Sequence, residues 1–62
     1  MKNGKRPTVR QRKIISYFGK IPENWFVVKH TPEEMTIVHK ISGQTLTMRK
    51  GGMDRDEANR LW

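Results

Sequence analysis

His30 and His39 are the two imidazoles of this chain. They are weighed first because imidazole serves as base, acid or metal ligand near neutral pH. Both fall in stretches where apolar and polar residues alternate, so the spacing predicts strands, with both rings on the core-side face. Four residues of strand separate their levels, roughly 13 Å at about 3.3 Å per residue. They cannot share one metal ion, which needs three or four converging ligands, and each reads as a structural or edge histidine. Ser16 falls in a helical stretch and Ser42 in a turn, and neither has a base and orienting acid to make it a nucleophile. Glu33 and Glu34 sit in a turn, where Thr31 and Glu34 stand at capping spacing, so local structure accounts for them better than acid–base work. Gly4, Gly19 and Gly51-Gly52 make no phosphate-binding loop. The four methionines suit a core better than a cofactor site. The expectation is a protein that is not an enzyme, with no cofactor and no metal.

The remaining chemistry is charge. The first twenty residues hold seven of the 13 basic side chains (Lys2, Lys5, Arg6, Arg10, Arg12, Lys13 and Lys20) and no acid. Such a segment favours a phosphate backbone, an acidic protein surface or an anionic membrane. The chain of 62 residues carries a net charge of +7, with 34% hydrophobic residues and no cysteine. One domain of this size buries only about 60% of its unfolded surface, so the core is thin. The absence of cysteine removes disulfides and thiolate zinc sites and suits a reducing compartment. No apolar run approaches the roughly 18 residues of a membrane span, and the charged start lacks the apolar stretch of a signal peptide. A soluble intracellular domain that does not enter the membrane is expected.

Several elements position these groups. Residues 1–7 read as a basic flexible arm with Gly and Pro. Thr8 and Gln11 stand at the spacing of a capping box, and Gly19 with Pro22 ends what it starts, which predicts a helix at about residues 9–18. Val9, Ile14, Ile15 and Phe18 form its apolar stripe, with Arg10, Arg12, Lys13 and Ser16 on the rest of its surface. From Trp25 the period changes from 3.6 to 2, and residues 25–30, 35–41 and 44–50 suit three strands. Thr31-Pro32-Glu33-Glu34 separates the first two, and Ser42-Gly43 reads as a two-residue hairpin turn between the others. Pairing Ile41 with Gln44 and His30 with Met35 puts Phe26, Val28, Met35, Ile37, Leu46 and Met48 on one face. The fold class expected is α+β: one N-terminal helix packed on a three-stranded antiparallel β-meander, the domain spanning residues 8–50.

The opposite face then shows Trp25, Val27, Lys29, Thr36, Val38, Lys40, Thr45, Thr47 and Arg49. Aromatic and cationic groups there match base-stacking platforms and protein-interface anchors. The plainer reading is the solvated face of an antiparallel sheet, with Trp25 folded under the helix end beside Ile21 and Pro22. Partner-binding residues expected from charge and face are Lys5, Arg6, Arg10, Arg12, Lys13, Trp25, Lys29, Lys40 and Arg49. Residues 51–62 form a Gly-Gly linker and an acidic, amphipathic tail. Asp54-Arg55-Asp56-Glu57 caps a possible short helix with Ala58, Leu61 and Trp62 on one side. Such a helix is marginal alone, so it docks on this domain, docks on a second copy, or frays; its acidic cluster could also fold against the basic helix. A homodimer is expected, through strand edges at Thr45 and Thr47 or through Leu61 and Trp62.

The strings GKRPTVRQRKII and IPENWFVVKHTPEEMTIVHKISGQT resemble a family of very short uncharacterised proteins encoded by phages and prophages of Gram-positive bacteria. The matching features are Gly4-Lys5, the Thr8 cap, Pro22-Glu23-Asn24-Trp25 and Ser42-Gly43. The resemblance covers about residues 3–50 and stops at Gly51. It implies a phage accessory protein in the cytoplasm of a bacterial host, and it carries no catalytic residues with it. In that context three functions compete. One is an antagonist that occupies the surface of a host or anti-phage defence protein. The alternative is a nucleic-acid-binding protein using the arm, helix and sheet face, although no helix-turn-helix, RNP-like or zinc-finger motif is present. For the third, a virion component, nothing positive speaks. The resemblance favours the antagonist; composition alone favours nucleic acid.

Overall fold

Thr8 begins the first helix as its spacing predicts. In the computed structural model, which describes residues 4–62, the Gln11 N–H donates to Thr8 Oγ1 at 3.2 Å and the Thr8 N–H donates to Gln11 Oε1 at 2.8 Å. This reciprocal pair satisfies two backbone donors that have no partner inside a helix. Helix α1 (Val9–Tyr17) ends at Gly19, whose φ of 83° is left-handed and costs glycine little. The Lys20 N–H reaches Ile15 O at 3.1 Å and the Gly19 N–H reaches Ser16 O at 2.9 Å, the paired bonds of a Schellman ending. A turn of 3-10 helix, Pro22–Asn24, leads into the sheet.

Strands β1 (Trp25–His30), β2 (Glu34–His39) and β3 (Thr45–Arg49) form an antiparallel meander in chain order. A 3-10 turn (Lys50–Gly52) and helix α2 (Arg55–Leu61) complete the α+β fold. A bulge in β1 and the turn between β2 and β3 correct the expected registers. His30 does pair with Met35, but a bulge between Val27 and Lys29 inserts one residue, so Val27 pairs with Ile37 and Trp25 with His39. One extra residue exchanges the faces of everything beyond it. Trp25 and Val27 therefore point into the core, each 8% exposed, while Val28 lies outside at 45%. The assignment of Phe26 and Val28 to the core, and of Trp25 and Val27 to the open face, is reversed.

Between β2 and β3 the predicted two-residue turn is replaced by a loop of residues 40–43. The His39 N–H bonds Gln44 O at 2.8 Å and the Gly43 N–H returns to His39 O at 3.0 Å, with Gly43 at φ 75°. His39 Nδ1 accepts the Ile41 and Ser42 N–H groups at 3.2 Å each, which closes the hairpin before Ile41 can pair. Ile37 thus pairs with Leu46 and Met35 with Met48. This is a two-residue shift from expectation, and it leaves each side chain on its predicted face because strand period is two.

The core joins Ile14 and Ile15 of α1 to Trp25, Val27, Met35, Ile37 and Met48 of the sheet, and to Met53 and Ala58. Phe18, Leu46, Leu61 and Trp62 pack at its margin. Val9 does not join the apolar stripe; it is 68% exposed. The tail docks on its own domain: the Asp54 N–H donates to Tyr17 Oη at 3.0 Å, and Trp62 Nε1–H donates to Thr31 O at 2.8 Å. A helix this short gains its stability from such docking.

The N-terminal arm is also anchored. Lys5 and Val27 exchange backbone bonds of 2.9 and 2.7 Å, so part of residues 1–7 belongs to the sheet and is not a free arm. Gly4 is required at this crossing, because a Cβ there would lie 2.3 Å from Phe26 Cβ. Residues 1–3, with Lys2, lie outside the described residues.

Candidate partner-binding surface

The bulge at Val28 gives the outer face of the sheet its character. By turning Trp25 and Val27 inward it leaves Phe26 and Val28 outside, beside Val38 of β2. With Ile41 of the 40–43 loop these residues line one shallow depression. Ile41 is 89% exposed, and Phe26 and Val38 are half-buried. Apolar side chains gathered in a surface depression with a polar margin are candidates for a contact surface. Lys40 is the cation that lines this one. Lys40 Nζ stands 4.9 Å from the Phe26 ring centroid, a cation–π distance. Lys29 lies 3.7 Å from Glu34, and Arg49 stands in register with that same Glu34. Thr36 and Thr47 join hydroxyls at 3.1 Å across β2 and β3, which leaves that side of the face polar.

Lys29, Lys40 and Arg49 are therefore exposed as expected, and Trp25 is not. Its ring packs edge-on to His39 at 4.9 Å inside the core, so it offers no face for a base or a partner. Phe26, Val28 and Ile41 are the residues that sequence reasoning missed as surface. The string Trp25-Phe26-Val27-Val28 has no polar residue to reveal which parity faces water, and Ile41 looks like a strand residue until the loop closes at His39.

A second basic region lies around α1. Arg10, Arg12 and Lys13 are exposed, held in place by the Thr8 cap. Arg12 reaches Glu23 at 4.0 Å, a long exposed pair of small energetic value. Arg6, Arg12 and Lys40 line one depression with Glu23, which links the helix face to the margin of the apolar patch. Arg10 and Lys13 line a groove against α2 with Tyr17, Glu57 and Arg60. Glu57 pairs within its own helix with Arg60 at 2.7 Å, and among the described residues no carboxylate forms an ion pair with Arg10 or Lys13. Lys5 is exposed at the β1 edge while its backbone is bonded to Val27.

Thr45 and Thr47 are exposed on β3. Leu61 and Trp62, expected as candidates to meet a second copy, pack at the margin of the core of their own chain and are half-buried there. The histidines have local work. His30 Nδ1 stands 2.8 Å from Gln11 Nε2 and its ring packs on Trp62 at 5.3 Å; burial lowers its pKa below the usual 6.5. Among the described residues no group of three or more His, Cys, Asp or Glu side chains is placed to hold a metal ion. No helix among them is long and apolar enough to cross a membrane.

A family model described as a domain of unknown function (DUF6906) matches residues 1–50. No curated protein and no solved structure matches the chain.

Proposed function

The chain belongs to the DUF6906 family, and on that premise we propose that it is a non-enzymatic, phage-type accessory protein that antagonises a bacterial protein by occupying its surface. Its place of action is the cytoplasm of a Gram-positive host, and its target is a host or anti-phage defence factor. The phage context rests on the sequence resemblance. The observation that carries the binding mode is the apolar depression of Phe26, Val28, Val38 and Ile41, with Lys40 in its lining and Arg6 and Arg12 in the depression that adjoins it at Lys40. An apolar centre with a charged rim matches protein–protein interfaces, and a basic rim selects an acidic partner surface. The cations of α1 extend the positive field and speed encounter without having to lie in the contact.

The second reading is nucleic-acid binding, favoured by the net charge of +7 and by Arg10 and Lys13, neither of which forms an ion pair among the described residues. Phosphate contacts need cations alone, and the apolar patch has no part in them. Burial of Trp25 takes the indole away from any base, and leaves the half-buried Phe26 beside Lys40 as the aromatic on that face.

Affinity purification from an expressing bacterium, with and without nuclease, separates the two. One stoichiometric protein should be recovered after nuclease treatment and lost with Val28→Asp/Ile41→Asp, both positions being exposed enough to leave the fold intact. Recovery that depends on nucleic acid and ignores the double variant would overturn the antagonist reading.

A further inference from the structure

The two edges of the sheet differ. On β1, the edge is crossed at Val27 by the backbone of Lys5 and bent by the Val28 bulge. On β3, the bonded positions facing β2 are Gln44, Leu46, Met48 and Lys50. The His39 N–H reaches Gln44 O, the Lys50 N–H reaches Glu33 O at 2.9 Å, and the ladder runs between them. Bonded groups alternate along an antiparallel strand, so the N–H and C=O groups of Thr45, Thr47 and Arg49 point outward. Among the described residues no backbone bond reaches that side. β3 carries no proline and no bulge, two of the devices that keep an edge from pairing.

We propose that a second copy of this chain pairs antiparallel along β3, about a two-fold axis through Thr47. This register is self-complementary, as a two-fold contact requires. Thr47 meets Thr47 and Thr45 meets Arg49 as hydrogen-bonded pairs, so the outward backbone groups of both copies find partners. Leu46 meets Met48 on the core face, and the half-buried Leu46 gains cover from the second copy. On the outer face the Thr36–Thr47 hydroxyl contact continues across the axis as a threonine ladder, a stabilising cross-strand pairing. The two Arg49 side chains stand four residue rises apart, roughly 13 Å, further than the screening length of about 8–10 Å near physiological salt. Each also keeps Glu34 of its own chain in register. The apolar depression is lined mainly from β1, β2 and the 40–43 loop, and Thr45 of β3 is the one residue it shares with the paired edge, so the dimer narrows the depression on that side and leaves Phe26 and Val28 open.

The charge of +7 on each copy opposes association, so screening by salt strengthens the dimer, the reverse of phosphate binding. Light scattering on the full chain at low and high salt should show the mass double with concentration, at lower concentration in high salt. Because the chain has no cysteine, single cysteines report the register. In the dimer, Thr47→Cys places two Cα atoms about 5.5 Å apart, within disulfide reach, whereas Arg49→Cys and Lys29→Cys do not. Oxidation should therefore cross-link Thr47→Cys selectively, with circular dichroism confirming that each variant is folded. A wild-type monomer at hundreds of micromolar in high salt overturns the proposal. So does a dimer whose Lys29→Cys or Arg49→Cys variant cross-links as readily as Thr47→Cys.

Discussion

The Trp62 indole N–H donates to the Thr31 carbonyl at 2.8 Å, which fastens α2 to the turn between β1 and β2. The same ring packs edge-on to His30 at 5.3 Å. The stretch matched by the family model, residues 1–50, therefore lacks Met53, Ala58, Leu61 and Trp62, all of which pack in or against the core. Trp62→Phe keeps most of the ring and loses the bond, and should cost about 1 kcal/mol in urea unfolding. A chain ending at Lys50 should lose cooperative unfolding, because a domain this small has little stability to spare. Retained wild-type stability in the shortened chain would show that the tail contributes nothing to the fold.

The bulge makes a prediction that the unbulged register does not share. Trp25→Ala should destabilise by about 3–5 kcal/mol, the range for an emptied large core site. Val28→Thr, at an exposed position, should stay within about 0.5 kcal/mol. Ile37, fully buried, is core in either register, and Ile37→Ala should cost about 2–5 kcal/mol. Equilibrium denaturation of the three variants checks the set. A costly Val28→Thr with a tolerated Trp25→Ala would restore the unbulged register.

Helix α1 was legible because its signals are local: Thr8 and Gln11 lie three residues apart, and Gly19 follows the last turn directly. Met35, Ile37, Leu46 and Met48 were placed on the correct face even though the hairpin register moved, since a shift of two keeps parity. Trp25 and Val28 were misplaced because four successive apolar residues carry no alternation. The deciding partners, Ile37 and His39, are distant in sequence. For the surface, the cations of α1 were readable from composition. The apolar patch was not, since it exists only once the bulge has exchanged Trp25 for Phe26 and Val28.

His30 predicts a pH dependence. Its pKa lies below 6.5 in the fold, through burial, and returns to about 6.5 in the unfolded chain. The unfolded state therefore takes up the proton first on acidification. The stability held by neutral His30 is complete above 6.5 and is lost as pH falls from there through the lowered folded value. The neutral ring also lets Nδ1 accept from Gln11 Nε2. Urea midpoints measured from about pH 8 to about pH 5 should fall in that window, and the fall should shrink in His30→Asn. An equal fall in both proteins would assign the effect to other groups.

Arg10 and Lys13 decide how far the charge of this chain acts on phosphates. They flank the groove against α2, where the nearby Glu57 pairs with Arg60, and among the described residues neither forms an ion pair. If the antagonist reading holds, generic duplex DNA should bind only weakly at low salt. The affinity should fall with salt at a log–log slope of about 0.9 for each phosphate neutralised. Arg10→Glu/Lys13→Glu should abolish that residual binding, yet recovery of a protein partner through the Val28–Ile41 patch should survive, slowed in its on-rate because the steering field is reduced. Fluorescence anisotropy on labelled duplex and surface binding to the recovered partner give the two readouts. Tight DNA binding that persists near physiological salt and depends on Arg10 and Lys13 would make phosphate contact the primary activity, and would leave the apolar patch without a role in it.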